Sequence, residues 1–337
     1  MKNLGKIIKR FNKARILVIG DLILDQYIWG KVERVSPEAP VPIVWANKRT
    51  YVPGGAANVA NNIGSLEAKV SLLGIIGKDE HGKLLLNELK DRSIACDAVF
   101  VDPKRCTTLK TRVVAGHQQV VRVDWEYTQE ASRELNARII NFVRSRINNF
   151  DALIIEDYGK GLINAQLLHQ LIGLARNNKK VITVDPKEEH FQYYSQVTAI
   201  TPNRKELENA VRNLKIKDTT NRFRINNDRL FSDKEIDLAA REIISYLKLD
   251  SLLVTLGEAG MRLFEKEGRV TYIPTVAQEV FDVSGAGDTV ISVFTLALSC
   301  GATKIEAAHL ANYAAGIVVG KLGTAVTSRK ELLSRIN

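Results

Sequence analysis

Short runs of β-branched and aliphatic residues, each closed by Gly, Asp or Asn, alternate along this chain with segments of helical period. That alternation limits the fold more than any other feature. "RILVIGD" makes a first strand and "AKVSLLGIIG" another, the second followed by the helix-like "DEHGKLLLNELKDR". "DALIIEDYGKG" precedes "NAQLLHQLIGLARNN", "KVITVDPK" follows, "AITPN" runs into "RKELENAV", and "DSLLVTLGEAG" comes later. This order calls for an α/β fold with a mostly parallel sheet and helices on both faces. Such sheets bind ligands beyond the carboxyl ends of their strands, where the polar punctuation falls. With 337 residues, 45% hydrophobic and 26% charged, the chain can bury the core such a sheet needs.

Two stretches break the rhythm. "YIWGKVERVSPEAPVPIVWANKRTYVPGG" alternates apolar and polar residues around prolines, and "TTLKTRVVAGHQQVVRVDWE" reads as a hairpin turning near Ala115-Gly116. Both are expected outside the main sheet, as a small β-lid built from insertions at about 27–52 and 107–125. A lid serves to exclude water from chemistry. The polar segment from Asn213 to Lys234, with a long excursion around Asn221 to Asp228, reads as a surface feature. "KEEH" (Lys187 to His190) reads as a solvated loop. No internal repeat or linker divides the chain, so one domain over 1–337 is expected.

Several function classes fall away. The basic, apolar N-terminus is interrupted by Asp21 and lacks a small-residue cleavage site, so a helix leading into a strand is expected rather than a signal peptide. The longest apolar stretch, Val290 to Ala302, is far short of the roughly 20 residues of a membrane helix. Cys96, Cys106 and Cys300 show no metal spacing and suit reduced thiols in the cytoplasm. The net charge of +10 is spread along the chain with acids mixed in and no basic block interleaved with aromatics. Such a surface suits anionic metabolites, and no nucleic-acid or membrane partner is expected.

The chemistry concentrates in "DVSGAGDT", Asp282 to Thr289. The first N–H groups of a helix have no partner inside it, and the helix dipole adds positive character there. A bend of Gly285, Ala286 and Gly287 would bring those amides against an anion with no side chain in the way. A carboxylate beside bound phosphate is out of place unless it works as a base. Asp288 fits the removal of a proton from an attacking hydroxyl next to the phosphoryl group. A Gly-rich turn with Asp288 and Thr289 as helix-capping residues remains open on these residues alone. Neither a Walker A loop nor a GxGxxG fingerprint is present.

"GDLILDQY", "PGGAANVANNIGSL", "TPNRKELE", "TLGEAGM" and "DVSGAGDT", in this order from Arg15 to about Ser328, resemble the ribokinase-like (PfkB-type) carbohydrate kinases. "RVSPEAPVPIV", "QQVVRVDWE", "DYGKG" and "VDPK" are similar to the branch that phosphorylates the anomeric hydroxyl of D-glycero-β-D-manno-heptose 7-phosphate, on the way to ADP-heptose and lipopolysaccharide. The resemblance implies ATP and Mg²⁺, and a stand-alone kinase without the nucleotidyltransferase domain fused to many relatives. A ribokinase-family enzyme for another sugar, sugar phosphate or nucleoside is the alternative. The chain departs from the pattern at Ser284, where Thr is commoner, and at Glu156, where a small residue is more usual.

By the same resemblance Asp288 is the general base, and the amides of Gly285, Ala286 and Gly287 stabilise the transferring phosphoryl. Asp25 would bind sugar hydroxyls, with Gly54, Gly55 and Asn58 beneath the sugar. Asn203 and Glu206 match an NxxE pattern tied to nucleotide phosphates and to Mg²⁺, the latter through water. Thr255, Gly257 and Gly260 would line the nucleotide groove, and Asn312 would border the adenine. A sugar phosphate needs cations for its own dianion. Arg112 and Arg122 on the hairpin, Lys160 in "DYGKG" and Lys187 in "DPK" are the candidates. An exposed lid carrying Val41, Ile43 and Trp45 suggests a homodimer through that lid.

Overall fold

The computed structural model describes residues 4–116, 118–219, 222–223, 225, 229–230, 232–277 and 279–336. Its strands are β1 (Arg15–Gly20), β2 (Leu22–Val35), β3 (Pro42–Gly55), β4 (Lys69–Gly77), β5 (Ala95–Asp102), β6 (Thr108–Ala115) and β7 (Gln118–Trp125). They continue with β8 (Ala152–Glu156), β9 (Val181–Asp185), β10 (Ala199–Ile200), β11 (Ser251–Thr255), β12 (Met261–Glu265) and β13 (Val270–Ile273). Nine form one sheet in the order β13-β12-β11-β10-β9-β8-β1-β4-β5. From β11 to β5 every pairing is parallel, and β12 and β13 add an antiparallel edge.

Helix α1 (Leu4–Ile8) precedes the strands, and α2 (Ala56–Ser65), α3 (Glu80–Asp91), α4 (Arg133–Arg146), α5 (Ala165–Asn177), α6 (Arg204–Lys217) and α7 (Asp233–Leu247) lie between them. Helices α8 (Ala286–Ser299), α9 (Lys304–Val318) and α10 (Arg329–Ile336) end the chain. Strand residues divide by parity between two cores. Leu17 and Ile19 of β1 join the apolar faces of α4 to α7, while Ile16 and Val18 join those of α1 to α3 and α8 to α10. Strands covered on both faces read as continuous apolar runs, as "RILVIG" and "ALIIE" do.

The remaining strands make a four-stranded sheet in the order β3-β2-β6-β7, with β2 and β6 parallel and the outer pairs antiparallel. It is rooted in the body at Leu24 and Leu109 and exposed at the β7 edge.

Two expectations differ from what is found. Asn213 to Lys217 close α6 and Lys234 lies in α7, while Phe223, Ile225 and Leu230 are buried in the core beside α7. The segment's polar composition hides three apolar anchors. The supposed excursion around Asn221 to Asp228 falls largely outside the described residues. Lys187–His190 is no solvated loop: a 3₁₀ turn spans Glu188–Tyr193, and His190 Nδ1 bonds the Asp157 carboxylate at 2.7 Å.

Candidate active site

Helix α8 starts at Ala286, with Gly285 before it in the left-handed conformation at φ 77°. A Cβ on Gly285 would stand 2.8 Å from Thr324 Cγ2 and 2.9 Å from Asn58 Nδ2, so the bend accepts only glycine. The three-amide cradle needs correction, because the Ala286 N–H donates to the Val283 carbonyl at 3.2 Å to close the turn. Among the described residues the Gly285 and Gly287 amides have no protein acceptor, and nothing lies within 4 Å of where a Gly287 Cβ would stand. Two amides at the positive end of α8 thus have no acceptor among the described residues.

Asp288, in the first turn of α8, is only 5% exposed. The Asn58 amide donates to its Oδ2 at 2.6 Å and the Tyr158 hydroxyl to its Oδ1 at 3.2 Å. Burial drives its pKa up to about 6, against the pull of those two hydrogen bonds and of the Lys110 charge. A carboxylate poised there accepts a proton at neutral pH. Gly55 holds the N-cap of α2, which places Asn58 in the first turn of that helix with its buried amide donating to Asp288.

Asp25 lies mid-strand in β2 opposite Val52, so it does not cap a strand end. A Cβ on Gly54 would come within 2.4 Å of Asp25 Oδ2, which explains that glycine. Gly55 turns the chain into α2 at φ 56°. In-register partners share a sheet face. Asp25 and Tyr27 of β2 match Lys110 and Arg112 of β6, which match Asp124 and Arg122 of β7. These side chains make one polar face of the small sheet, and its Asp25 and Lys110 act on the Asp288 carboxyl.

Each cation proposed for a sugar phosphate already has a carboxylate. Arg112 pairs with Asp25 at 2.5 Å, Arg122 with Asp124 at 3.0 Å, Lys160 with Glu126 at 2.7 Å and Lys187 with Glu188 at 3.3 Å. Lys110 is different. Its ammonium stands 5.1 Å over the Tyr158 ring, burial pushes its pKa down, and among the described residues no carboxylate lies within ion-pair distance of it. The sequence reading overlooked Lys110, although its parity with Arg112 in "LKTRV" was the available signal.

Asn203 and Glu206 form a capping box at the start of α6. Asn203 Oδ1 accepts the Glu206 N–H at 3.0 Å and Glu206 Oε2 accepts the Asn203 N–H at 2.8 Å. Asn203 bridges to Thr255 at the end of β11. Gly257 and Gly260 follow at φ 59° and 82° around a 3₁₀ turn. Asn312 is 4% exposed and donates to the Pro274 carbonyl at 2.8 Å, which ties α9 to the chain after β13.

Acids crowd the strand ends. Glu156 is fully buried, and no N–H or hydroxyl among the described residues donates to its carboxylate, which instead meets the Asp185 carboxyl. Atoms of Glu156, Asp185 and Asp288 all lie within 4.8 Å of one another. Two charges at that spacing repel by about 3 kcal/mol at an effective dielectric near 20. Burial first, then the neighbouring acids, push the Glu156 and Asp185 carboxyls well above their usual range. Asp21, after β1, accepts the N–H groups of Tyr158 at 2.9 Å and Lys160 at 3.0 Å. It fixes the "DYGKG" loop that carries Tyr158.

A bend with unpartnered amides at a helix N-terminus, a buried carboxyl of raised pKa beside it and a polar sheet face acting on that carboxyl suit a phosphotransferase for a small hydroxyl compound. The chain belongs to the pfkB family of carbohydrate kinases, whose profile matches residues 13–331. It is 41% identical over 335 residues to the bifunctional protein HldE of Geotalea uraniireducens (strain Rf4), covering 99% of this chain and 65% of that protein. It is 43% identical over 323 residues to the bifunctional protein HldE of Helicobacter pylori (strain J99), covering 96% and 66%. The chain thus spans about two thirds of the curated relatives it matches. The fold matches Arabidopsis thaliana ribokinase complexed with ribose and ATP at a TM-score of 0.73 and 19% identity, covering 96% of this chain and 99% of that one. Among the described residues no helix is long and apolar enough to cross a membrane.

Proposed function

We propose that this carbohydrate kinase transfers the γ-phosphoryl group of ATP to the anomeric hydroxyl of D-glycero-β-D-manno-heptose 7-phosphate. The product is the 1,7-bisphosphate, a precursor of ADP-heptose and the lipopolysaccharide core. The observation that carries the acceptor class is Lys110, half-buried, with no carboxylate at ion-pair distance among the described residues and on the same face as Asp25 and Arg112. A cation left unpaired beside sugar-binding groups suits an acceptor that already bears a phosphate. The motif resemblance to heptose 7-phosphate kinases supports the sugar's identity, and the HldE relatives agree with it.

In this reading Asp25 orients the sugar hydroxyls while Asp288 takes the proton from the attacking one. Asn58 and Tyr158 hold that carboxylate, and the Gly285 and Gly287 amides stabilise charge on the transferring phosphoryl. Asn203, Thr255, Gly257 and Gly260 flank the nucleotide. Glu206 spends Oε2 on its cap, which leaves Oε1 for a water of Mg²⁺. The ion, when bound, neutralises phosphate charge. The small sheet works as a lid that excludes water, and two chains pair through its apolar side. Three free thiols suit the reducing cytoplasm.

The test is ADP release measured with the heptose 7-phosphate, the unphosphorylated heptose, ribose and fructose 6-phosphate as acceptors. Turnover should need both the heptose and its 7-phosphate. Equal rates with and without that phosphate would end the proposal.

A further inference from the structure

We propose that Asn62, buried one turn beyond Asn58 on α2, is a positioning residue that holds the Asn58 amide donor-first against Asp288. The inference deepens the reading above and rests on Asp288 acting as the base. Asn58 and Thr289 are 0% exposed and Asn62 1%, so no solvent orients their polar ends. Asn62 Nδ2 donates to the Asn58 backbone carbonyl at 3.0 Å and stands 3.5 Å from Asn58 Oδ1. Asn62 Oδ1 is 2.8 Å from the hydroxyl of Thr289, the residue after the base.

Hydrogen-bond chemistry sets the direction of each amide. A backbone carbonyl only accepts, so the Asn62 NH₂ must face Asn58 and its Oδ1 must face Thr289. The Thr289 hydroxyl donates to that oxygen, since the Gly285 carbonyl, 3.1 Å from the same hydroxyl, already takes the Thr289 backbone N–H at 3.0 Å. Of the two amides only Asn58 has a choice. With its NH₂ toward Asp288, at 2.6 Å, it favours the ionised carboxylate. Turned over, it would offer an oxygen that bonds the carboxyl only when protonated. That turn would also set its NH₂ against the Asn62 NH₂, two donors with no acceptor between them. Buried donors left unpaired are costly. Asn62 thus keeps Asn58 out of the orientation that would hold a proton on the base. The donations run one way, from Thr289 to Asn62 to Asn58 to Asp288, and each polarises the next. The other titratable groups acting on the Asp288 carboxyl are Asp25 of β2, Lys110 of β6, Glu156 of β8, Tyr158 and Asp185 of β9. A change at Asn62 removes none of them.

The Asp288 carboxyl should be titrated in the free full-length chain by carbon-13 NMR of aspartate-labelled protein, with its signal assigned from Asp288→Asn and Tm followed in parallel. Neither nucleotide nor acceptor is present, so a wrong acceptor assignment does not touch the result. Asn62→Ala should move the midpoint upward by about half a pH unit, against about one unit for Asn58→Ala, where the bond is lost outright. Thr289→Val should shift it the same way, and Thr289→Ser, which keeps the hydroxyl, should hold the wild-type midpoint. In the Asn58→Ala background, Asn62→Ala should lower Tm further and leave the midpoint where it is. Should Asn62→Ala not fold, the Thr289→Val and Thr289→Ser pair decides alone. An unmoved midpoint, or an equal shift with and without Asn58, overturns the proposal and leaves the acceptor assignment standing. Unchanged turnover in Asp288→Asn would instead end the base assignment, and this inference with it.

Discussion

Burial lifts the Asp288 carboxyl to about 6, while the Asn58 amide and Tyr158 hydroxyl hold it from rising further. Proton acceptance needs the ionised form, so kcat/KM should be full above that pH. It should fall about tenfold per unit as pH drops below it. Tyr158→Phe removes one of the two donors, and the acid limb should move upward in a pH–rate profile; a limb that stays in place would release Tyr158 from this role. Asp288→Asn should lower kcat by about 10² or more while calorimetry finds sugar binding largely kept. Unchanged turnover would remove Asp288 as the base. The acid itself was legible because tiny residues before a helix have few uses. Its partners were not, since Asn58 and Tyr158 stand 230 and 130 residues away in sequence. Only the fold of α2 and the "DYGKG" loop brings them to it. Lys110 escaped for another reason: the hairpin's parity groups it with Arg112, but nothing in a strand pattern says which cation lacks a carboxylate.

The elements most readable in the sequence are those whose reasons are local. "NRKE" contains a complete capping box, which the structure forms at the start of α6, and the apolar strand runs specify their own burial. A box of this kind serves two purposes here, since satisfying the first amides of α6 also fixes the Glu206 carboxylate. Asn203→Ala should cost about 1 kcal/mol, which in a chain of this length lowers Tm by about 2 °C. If the cap positions Glu206 for the nucleotide, the KM for ATP rises as well. A lower Tm with an unmoved KM would reduce the box to a helix cap. Where the reasons are distant, the sequence misleads. "KEEH" is polar enough for a loop, yet His190 is drawn onto Asp157, 33 residues earlier. The Tyr194 hydroxyl joins the same carboxylate at 2.7 Å. In the stretch after α6, the core positions of Phe223, Ile225 and Leu230 outweigh the charges around them.

At the scale of the whole molecule, the small sheet presents two unlike faces because side chains alternate along its strands. Asp25, Tyr27, Lys110, Arg112, Arg122 and Asp124 share the polar one, and the opposite face carries Val113, Val121, Val123 and Trp125. The second face is unfinished in a single chain. Val121 is 47% exposed, Val123 45% and Trp125 63%, along an edge strand whose outer side meets no strand among the described residues. A second copy seated there would cover the apolar residues and stiffen the sheet over the acceptor from outside. Light scattering of the wild type should therefore give a dimer, and Val123→Asp with Trp125→Glu should give a folded monomer. Both changes lie on the face away from Asp25, so they remove no sugar-binding group directly. If pairing steadies the lid, the monomer's sugar KM rises while its ATP KM holds, because the capping box of α6 and the turn after β11 take no part in this sheet. A wild type that is already monomeric would separate the apolar face from assembly.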